Sequence, residues 1–300
     1  MNKLEDKYCG VVAILGRPNV GKSTLLNALM GKKIAITANK PQTTRHRLLG
    51  IHTEGQVQRI YVDTPGLHTK TGNRMNKIMN RDAASVLGEV DLILWLVVAN
   101  QWTADDQAVL NRLQKQSCPI MVLVNQIDRY NDKAQMLPYL KKLAERMDFA
   151  DLIPISAMTK EGLPELQLVI DKHLPLSEAF LFPESQTTDQ SESFMIAELV
   201  REKLFRLLGD ELPYGLAVQI EFKEQKENRL HVNAVIWVDK PNHKPMVIGN
   251  KGSMLKEVGT QARLEIQHLI GQKVHLELWV KVKSNWADNR HDLRSLGHED

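Results

Sequence analysis

The sequence predicts an α/β protein in which a mostly parallel sheet with helices on both faces is followed by a smaller α+β domain. Up to residue 173, short apolar segments that resemble strands alternate with longer segments of helical periodicity, which is the pattern of a parallel sheet covered by helices. Residues 174–193 contain two prolines and a polar stretch without periodicity, which is typical of a linker. We therefore predict a first domain at 1–174, a linker at 175–192 and a second domain at 193–300.

Each element of the first domain follows from its own pattern. Residues 10–15 form an apolar segment, and the helix after it carries Leu25, Leu26 and Leu29 at helical spacing. Residues 48–53 and 57–63 flank a short polar turn and predict a hairpin. Nearly continuous apolar segments at 92–98 and 120–125 are expected of strands covered on both faces. The remaining predictions are a strand at 152–156 and helices at 22–30, 74–87, 105–116, 133–147 and 163–173.

The second domain shows a different order of elements. It begins with a predicted helix at 194–208, in which Ile196, Leu199, Val200 and Leu204 share one face. Strands at 215–223 and 229–238 follow, then a short helical segment within 244–252, a helix at 253–270 and a strand at 273–283. The resulting order is α-β-β-α-α-β.

Composition and cysteine content limit where the protein works. The 300 residues carry a net charge of +3, which is too weak to indicate a nucleic-acid-binding protein by itself. The two cysteines, Cys9 and Cys118, lie far apart in the sequence, so neither a disulfide framework nor a CxxC metal pair is expected. The N-terminus lacks a signal-peptide pattern, and the longest apolar run, 92–99, is shorter than the roughly 18 residues that span a bilayer. We expect a cytoplasmic protein without a transmembrane segment, whose membrane contact, if any, is peripheral on the inner membrane.

Residues 16–23 read GRPNVGKS and fit the phosphate-loop pattern GxxxxGK[ST]. The strand before the loop and the helix after it supply the context that it requires, because backbone N–H groups and a helix N-terminus surround the phosphate oxygens. Lys22 is expected to face the β and γ phosphates, and the Ser23 hydroxyl to bind Mg²⁺. The nucleotide-binding residues predicted here are Gly16, Arg17, Pro18, Asn19, Val20, Gly21, Lys22, Ser23 and Thr24.

The string DTPG at 63–66 follows at the end of a predicted strand. Its place after a phosphate loop predicts that Asp63 holds Mg²⁺, since this cation prefers oxygen ligands. Gly66 has no Cβ and can present its N–H to the terminal phosphate. Asp63, Thr64, Pro65 and Gly66 therefore join the predicted nucleotide site.

Two further strings, NQID at 125–128 and ISA at 155–157, predict which base is bound. The Asp128 carboxylate can accept from N1–H and from the exocyclic amino group of guanine, whereas adenine presents an acceptor at N1. An unpaired buried polar group costs about 1–3 kcal/mol, so GTP and GDP should be preferred over adenine nucleotides by at least about tenfold. A small-molecule kinase, the alternative use of a phosphate loop, has no need of this string. The predicted base-binding residues are Asn125, Gln126, Asp128 and, through backbone N–H groups, Ser156 and Ala157.

Residues 247–252 read VIGNKG and place a GxxG loop before a helix. Such a loop lets an RNA backbone approach glycines that have no Cβ. Between 240 and 283, eight Lys or Arg residues face three Glu residues, so positive charge is concentrated here. The predicted RNA-binding residues are Lys244, Met246, Val247, Ile248, Gly249, Asn250, Lys251 and Gly252, with Val247 and Ile248 as an apolar platform.

An alternative keeps the GTP switch but makes the second domain a module that docks a protein or the membrane surface. The one feature in its favour is the apolar cluster at 179–182 in the predicted linker. That cluster is too short for a stable amphipathic helix.

Taken together, GRPNVGKS, PQTTRHR at 41–47, DTPGLH at 63–68 and the GxxG-containing second domain resemble the Era family of bacterial ribosome-assembly GTPases over essentially the whole chain. The resemblance implies GTP hydrolysis, a type II KH domain, and the 3′ end of 16S ribosomal RNA and the 30S subunit as partners, with no DNA partner. It also implies that Thr44, with Thr43 as the alternative, binds Mg²⁺ from switch I at 38–47. The metal ligands are then Ser23, Thr44 and Asp63, and the catalytic residues are Lys22, Thr44 and Gly66.

Three positions bear on affinity and turnover. Gln126 stands where the family has a lysine that covers the base, which affects nucleotide affinity rather than the choice of guanine. Leu67, at the start of switch II (67–81), replaces the water-orienting glutamine of Ras-like proteins, and leucine cannot form hydrogen bonds. Intrinsic hydrolysis should therefore be slow. Similar GTPases with an apolar residue there and an asparagine at the position of Asn19 use potassium, so we predict K⁺ as a further cofactor.

Overall fold

The structure, a computed structural model, describes residues 6–38, 40, 43–65, 74–75, 77–79, 88–209 and 215–297. These residues form two compact units. The first unit contains most of the described chain up to Asp189. The second unit combines the residues from Gln190 onward with the described residues of two earlier segments, 36–43 and 71–78.

The first unit is built on a seven-stranded sheet. Its main order is β2-β3-β1-β4-β5-β6, and β7 pairs with the beginning of β1. All neighbours along this order are parallel except the β2–β3 hairpin, and every residue of β4 and β5 is buried. The mostly parallel sheet predicted from the sequence is confirmed. The strands are β1 Lys7–Leu15, β2 Leu48–Glu54, β3 Val57–Asp63, β4 Leu92–Val98, β5 Ile120–Asn125, β6 Asp151–Pro154 and β7 Leu176–Ser177.

The helices of the first unit are α1 Lys22–Met30, α2 Ala104–Leu113, α3 Leu137–Ala144 and α4 Leu163–Asp171. The helix expected at 133–147 is divided, because a 3₁₀ turn at Lys133–Met136 precedes α3 and Pro138 occupies the first turn of α3. Of the helix expected at 74–87, residues 74, 75 and 77–79 are helical, and 76 and 80–87 lie outside the described residues.

The segment expected to be a linker is held against the first sheet. Gln58 exchanges two hydrogen bonds with the backbone of Phe182, at 2.8 and 3.0 Å. Ile51 N donates to Thr187 O at 3.0 Å. Within the apolar cluster at 179–182, Phe180 and Phe182 pack partly buried against the core of the first unit. These two rings are therefore engaged in packing, and the cluster loses its value as evidence for a docking module.

The second unit contains a three-stranded sheet of order β10-β9-β8 with a mixed pattern, since β8 and β9 are antiparallel and β9 and β10 are parallel. Helices α5 and α7 contribute Leu199, Leu204, Val258 and Ala262 to its core. The predicted order is confirmed, with a short α8 added at the end. The elements are α5 Glu192–Leu207, β8 Leu216–Lys226, β9 Arg229–Val238, α6 His243–Ile248, α7 Ser253–Ile270, β10 Lys273–Val282 and α8 Arg290–Ser295.

Within the described part of the chain, no helix combines the length and the apolarity needed to cross a bilayer.

Candidate nucleotide site and RNA-binding loop

The loop at 16–21 connects the end of β1 to α1 and is tied together by the lysine that follows it. Lys22 Nζ donates to the carbonyl oxygens of Gly16 and Arg17, at 3.0 and 3.1 Å. Burial lowers the pKa of Lys22, and the nearby Asp63 carboxylate opposes that shift. The ammonium group is thus held inside the loop, at the place where phosphate oxygens would be bound.

The other loop residues differ in exposure. Val20 is buried, Arg17, Pro18 and Thr24 are partly buried, and Asn19 is exposed with a φ of 62°. Arg17 Nε donates to the buried Asp106 at 3.1 Å, and Asp106 also completes the N-terminal capping box of α2. The loop is therefore fixed to the neighbouring helix as well as to β1.

Three side-chain oxygens predicted as metal ligands meet beside this loop. Ser23 Oγ lies 2.8 Å from Thr44 Oγ1 and donates to Asp63 Oδ2 at 2.7 Å. Asp63 is fully buried, and its Oδ1 has no hydrogen-bond partner among the described residues. Burial raises the pKa of Asp63, against the attraction of Lys22 and the hydrogen bonds from the two hydroxyl groups. A buried carboxylate oxygen without a partner, next to two hydroxyl oxygens, fits the oxygen ligands that Mg²⁺ prefers.

Thr43 directs its hydroxyl elsewhere. Its Oγ1 donates to Lys40 O at 2.6 Å. Of the two threonines that the sequence leaves open as metal ligands, Thr44 is the one beside Ser23 and Asp63.

The guanine string lies at the end of β5, where Asn125 joins it to the phosphate loop. Asn125 Nδ2 donates to Val20 O at 2.7 Å, and its Oδ1 accepts from Ala157 N at 3.0 Å. Gly21 is required at this contact, because a Cβ there would lie 2.5 Å from Asn125 Nδ2 and its φ is 102°. The phosphate loop, the NQID string and the ISA string therefore converge on one side chain.

Asp128 is oriented by a hydroxyl group that sequence reasoning missed. Ser156 Oγ donates to Asp128 Oδ1 at 2.6 Å, whereas the Ser156 N–H donates to Glu161 O at 3.0 Å. Gln126 has a φ of 69° and leads into the 3₁₀ turn Ile127–Arg129 that carries Asp128. The spacing between 128 and 156 gives no signal for this contact, which depends on the folded sheet bringing β5 and β6 together.

The DTPG string is described in part. Thr64 and Pro65 are buried, and Thr64 Oγ1 lies 3.4 Å from Ile14 O. Gly66 and Leu67 lie outside the described residues.

The GxxG loop of the second unit separates α6 from α7. Gly249 has a φ of 75°, and a Cβ there would lie 2.7 Å from Met254 Cβ, so glycine is required. At Gly252 a Cβ would meet nothing within 4 Å, although its φ is 80°. Lys244, Asn250 and Lys251 are exposed beside the loop.

The predicted apolar platform is wrong for one of its two side chains. Val247 is 0% exposed and belongs to the core of the second unit, because α6 turns this position inward. Ile248 is partly buried against the same core. Met246 is the apolar side chain presented to solvent, at 56% exposure.

The sequence matches two protein families. The family described as "50S ribosome-binding GTPase" matches residues 11–126, and the KH domain family matches residues 211–287. The first match contains the phosphate loop, and the second contains the GxxG loop.

Similar proteins cover the whole chain. The curated "GTPase Era" proteins of Yersinia pestis and Yersinia pseudotuberculosis are each 50% identical over 301 residues, covering 100% of this chain and 99% of their own. A crystal structure of an Aquifex aeolicus Era variant bound to GDP and AlF4⁻ has a TM-score of 0.93 at 36% identity. A crystal structure of Era with MgGDPNP and nucleotides 1506–1542 of 16S ribosomal RNA has a TM-score of 0.94 at 37% identity. Each comparison spans 98% of this chain and 100% of the solved one. By identity and coverage, the chain belongs to the Era family of GTPases.

Proposed function

We propose that this GTPase binds the 3′ end of 16S ribosomal RNA through its KH domain and acts in the assembly of the 30S subunit. The observation that carries the nucleotide half is the group of Ser23, Thr44 and the partner-free Asp63 Oδ1 beside the phosphate loop. The RNA half is supported by the exposed lysines at the GxxG loop and by the solved Era complex with nucleotides 1506–1542.

In this proposal Mg²⁺ is held by Ser23, Thr44 and Asp63, and it neutralises charge on the phosphate oxygens. Lys22 supplies a second positive charge to the β and γ phosphates, and the Gly66 N–H is directed at the terminal phosphate. The backbone N–H groups of the loop 16–21 and of the first turn of α1 bind the remaining phosphate oxygens.

Base selection depends on Asp128. Its carboxylate accepts from N1–H and the amino group of guanine, and Ser156 Oγ fixes its orientation. Asn125 shapes the pocket indirectly, because both ends of its amide are already bound to the backbone of Val20 and Ala157. Gln126 and the backbone of Ala157 line the base.

The RNA contact is tested by reversing one charge beside the GxxG loop. Lys251→Glu is expected to weaken binding of an RNA with the sequence of the 16S 3′ end by about tenfold and to reduce the salt dependence by about one phosphate contact. GTP hydrolysis without RNA should not change. Fluorescence anisotropy at two salt concentrations measures both quantities.

The matched control is Lys142→Glu, which reverses an exposed lysine on α3 of the first unit. Equal losses from the two substitutions would place RNA binding away from the GxxG loop. Gly249→Asp, which also adds a carboxylate, is less suitable, because its Cβ would collide with Met254 and the effect of charge would be mixed with misfolding.

Potassium dependence is the second expectation. We propose that K⁺ binds near the phosphates with Asn19 as a ligand, because Leu67 cannot orient water. Turnover in K⁺ should exceed turnover in Na⁺ by about tenfold at equal ionic strength, which corresponds to about 1.4 kcal/mol of transition-state stabilisation. Asn19→Gly, which tolerates the φ of 62°, should remove this preference. Equal phosphate release in the two salts by the unsubstituted protein would exclude a K⁺ site.

We place the protein in the cytoplasm, with peripheral contact at the inner membrane as the finer proposal. Cell fractionation tests the second statement. Recovery of the protein only with ribosomal particles and in the soluble fraction would reject membrane contact.

A further inference from the structure

Helix α5 of the second unit buries a charged face as well as an apolar one. Ile196 and Leu204 pack into the core of the unit. Arg201, Glu202 and Lys203 are also buried, and Glu202 is 0% exposed. Because buried charges are unfavourable unless they are paired and hydrogen-bonded, the partners of this face indicate its purpose.

Glu202 is bound to the backbone of the segment 36–43, which belongs to the same unit. Its Oε1 accepts from Thr37 N at 2.8 Å and from Thr37 Oγ1 at 3.3 Å. Arg206 donates to the same carboxylate oxygen at 2.9 Å and to Thr37 O at 3.0 Å. Both polar groups of the Thr37 backbone are therefore held by α5, through charge-assisted hydrogen bonds.

Arg201 holds the other end of the segment. Its Nη2 donates to Thr43 O, and Glu198 fixes its guanidinium group through two hydrogen bonds of 2.6 Å. Lys40, between the two ends, donates to Leu208 O and Gly209 O just beyond α5. The contacts at Thr37 and Thr43 fix the backbone at both ends of the segment.

Thr43 is followed directly in the chain by Thr44, whose Oγ1 lies 2.8 Å from Ser23 Oγ. We propose that Arg201, Glu202 and Arg206 are positioning residues for GTP hydrolysis, which hold switch I so that the Thr44 hydroxyl is presented to Mg²⁺. This inference rests on the proposed function, in which Thr44 binds the metal. Ordering a free loop at each turnover would cost conformational entropy, and a segment that is already held avoids this cost.

The direct test is Glu202→Gln, which keeps the size of the side chain and removes its charge. We expect kcat to fall by about tenfold and the Mg²⁺ concentration for half-maximal hydrolysis to rise by a similar factor. Affinity for GDPNP in Mg²⁺ should fall likewise, whereas affinity for GDP should not change, because Thr44 contributes only with a γ-phosphate present. A residue that only stabilised the second unit would lower Tm and leave the Mg²⁺ dependence and the ratio of GDPNP to GDP affinity unaltered.

Arg206→Met keeps the test decisive if Glu202→Gln fails to fold, because the Arg206 side chain is 44% exposed. It should give the same changes at about threefold to tenfold. The matched control is Arg112→Met, an exposed arginine on α2, which should match the unsubstituted protein in all measurements. Unchanged Mg²⁺ dependence and GDPNP affinity in Arg206→Met would overturn the inference.

Thr44→Val separates this inference from the proposal beneath it. If Thr44→Val impairs hydrolysis and Arg206→Met does not, the metal ligand is correct and the positioning role is wrong. If Thr44→Val has no effect, the metal assignment itself fails, and the positioning role fails with it.

Discussion

Asp128→Asn is expected to convert the protein from a guanosine to a xanthosine triphosphatase. The substitution replaces one carboxylate oxygen by an NH₂ group, which opposes the amino group of guanine and matches the carbonyl oxygen at position 2 of xanthine. Ser156 Oγ, which donates to Asp128 Oδ1, would keep the amide oxygen of the new side chain on its own side. GTP should bind about tenfold to hundredfold more weakly, because donors at the base edge lose their acceptor at about 1–3 kcal/mol.

Xanthosine triphosphate should bind to the Asp128→Asn protein more tightly than GTP does, which competition against fluorescent GDP measures. Asp148→Asn is the matched control, since Asp148 is an exposed aspartate of the first unit, and it should keep the preference for guanine. Continued preference for GTP by Asp128→Asn would show that another residue reads the base.

Thr44→Val should lower the rate of GTP hydrolysis by about 100-fold, equivalent to about 2.7 kcal/mol of lost transition-state stabilisation. Valine has nearly the shape of threonine but cannot bind a cation, so Mg²⁺ would lose one of its three proposed protein ligands. GDP affinity should change little. Single-turnover measurements of phosphate release, over a range of Mg²⁺ concentrations, check both expectations.

Thr43→Val is the informative comparison, because it removes the neighbouring hydroxyl group. That hydroxyl donates to Lys40 O within the same segment, so its loss should reduce turnover by less than about tenfold. A larger loss from Thr43→Val than from Thr44→Val would reverse the assignment of the metal ligand.

The sequence predicts best those features that depend on local pattern. The apolar segments at 92–98 and 120–125 are strands with the same bounds in the structure, and the helix at 253–270 agrees likewise. The four nucleotide strings could be assigned to the ends of strands because each is short and has fixed spacing. These features need no knowledge of which residues meet across the fold.

Contacts between distant segments could not be predicted in the same way. The Ser156–Asp128 hydrogen bond and the packing of Phe180 and Phe182 depend on the three-dimensional arrangement of the first unit. Val247 lies in a segment that could be helix or loop, so the side it turns inward could not be known. The polar face of α5 has the periodicity of a solvated surface, and its burial is visible only once the segment at 36–43 is in place.

The contact between Gly21 and Asn125 has a consequence for protein engineering. Nδ2 of the asparagine donates to the carbonyl oxygen of residue 20 and occupies the space that a Cβ at position 21 would take. The nucleobase specificity segment and the triphosphate-gripping loop are consequently not interchangeable modules. A chimera that imports one of them from a distant homologue without its counterpart should arrive with a misaligned cradle, even if every diagnostic residue has been transferred.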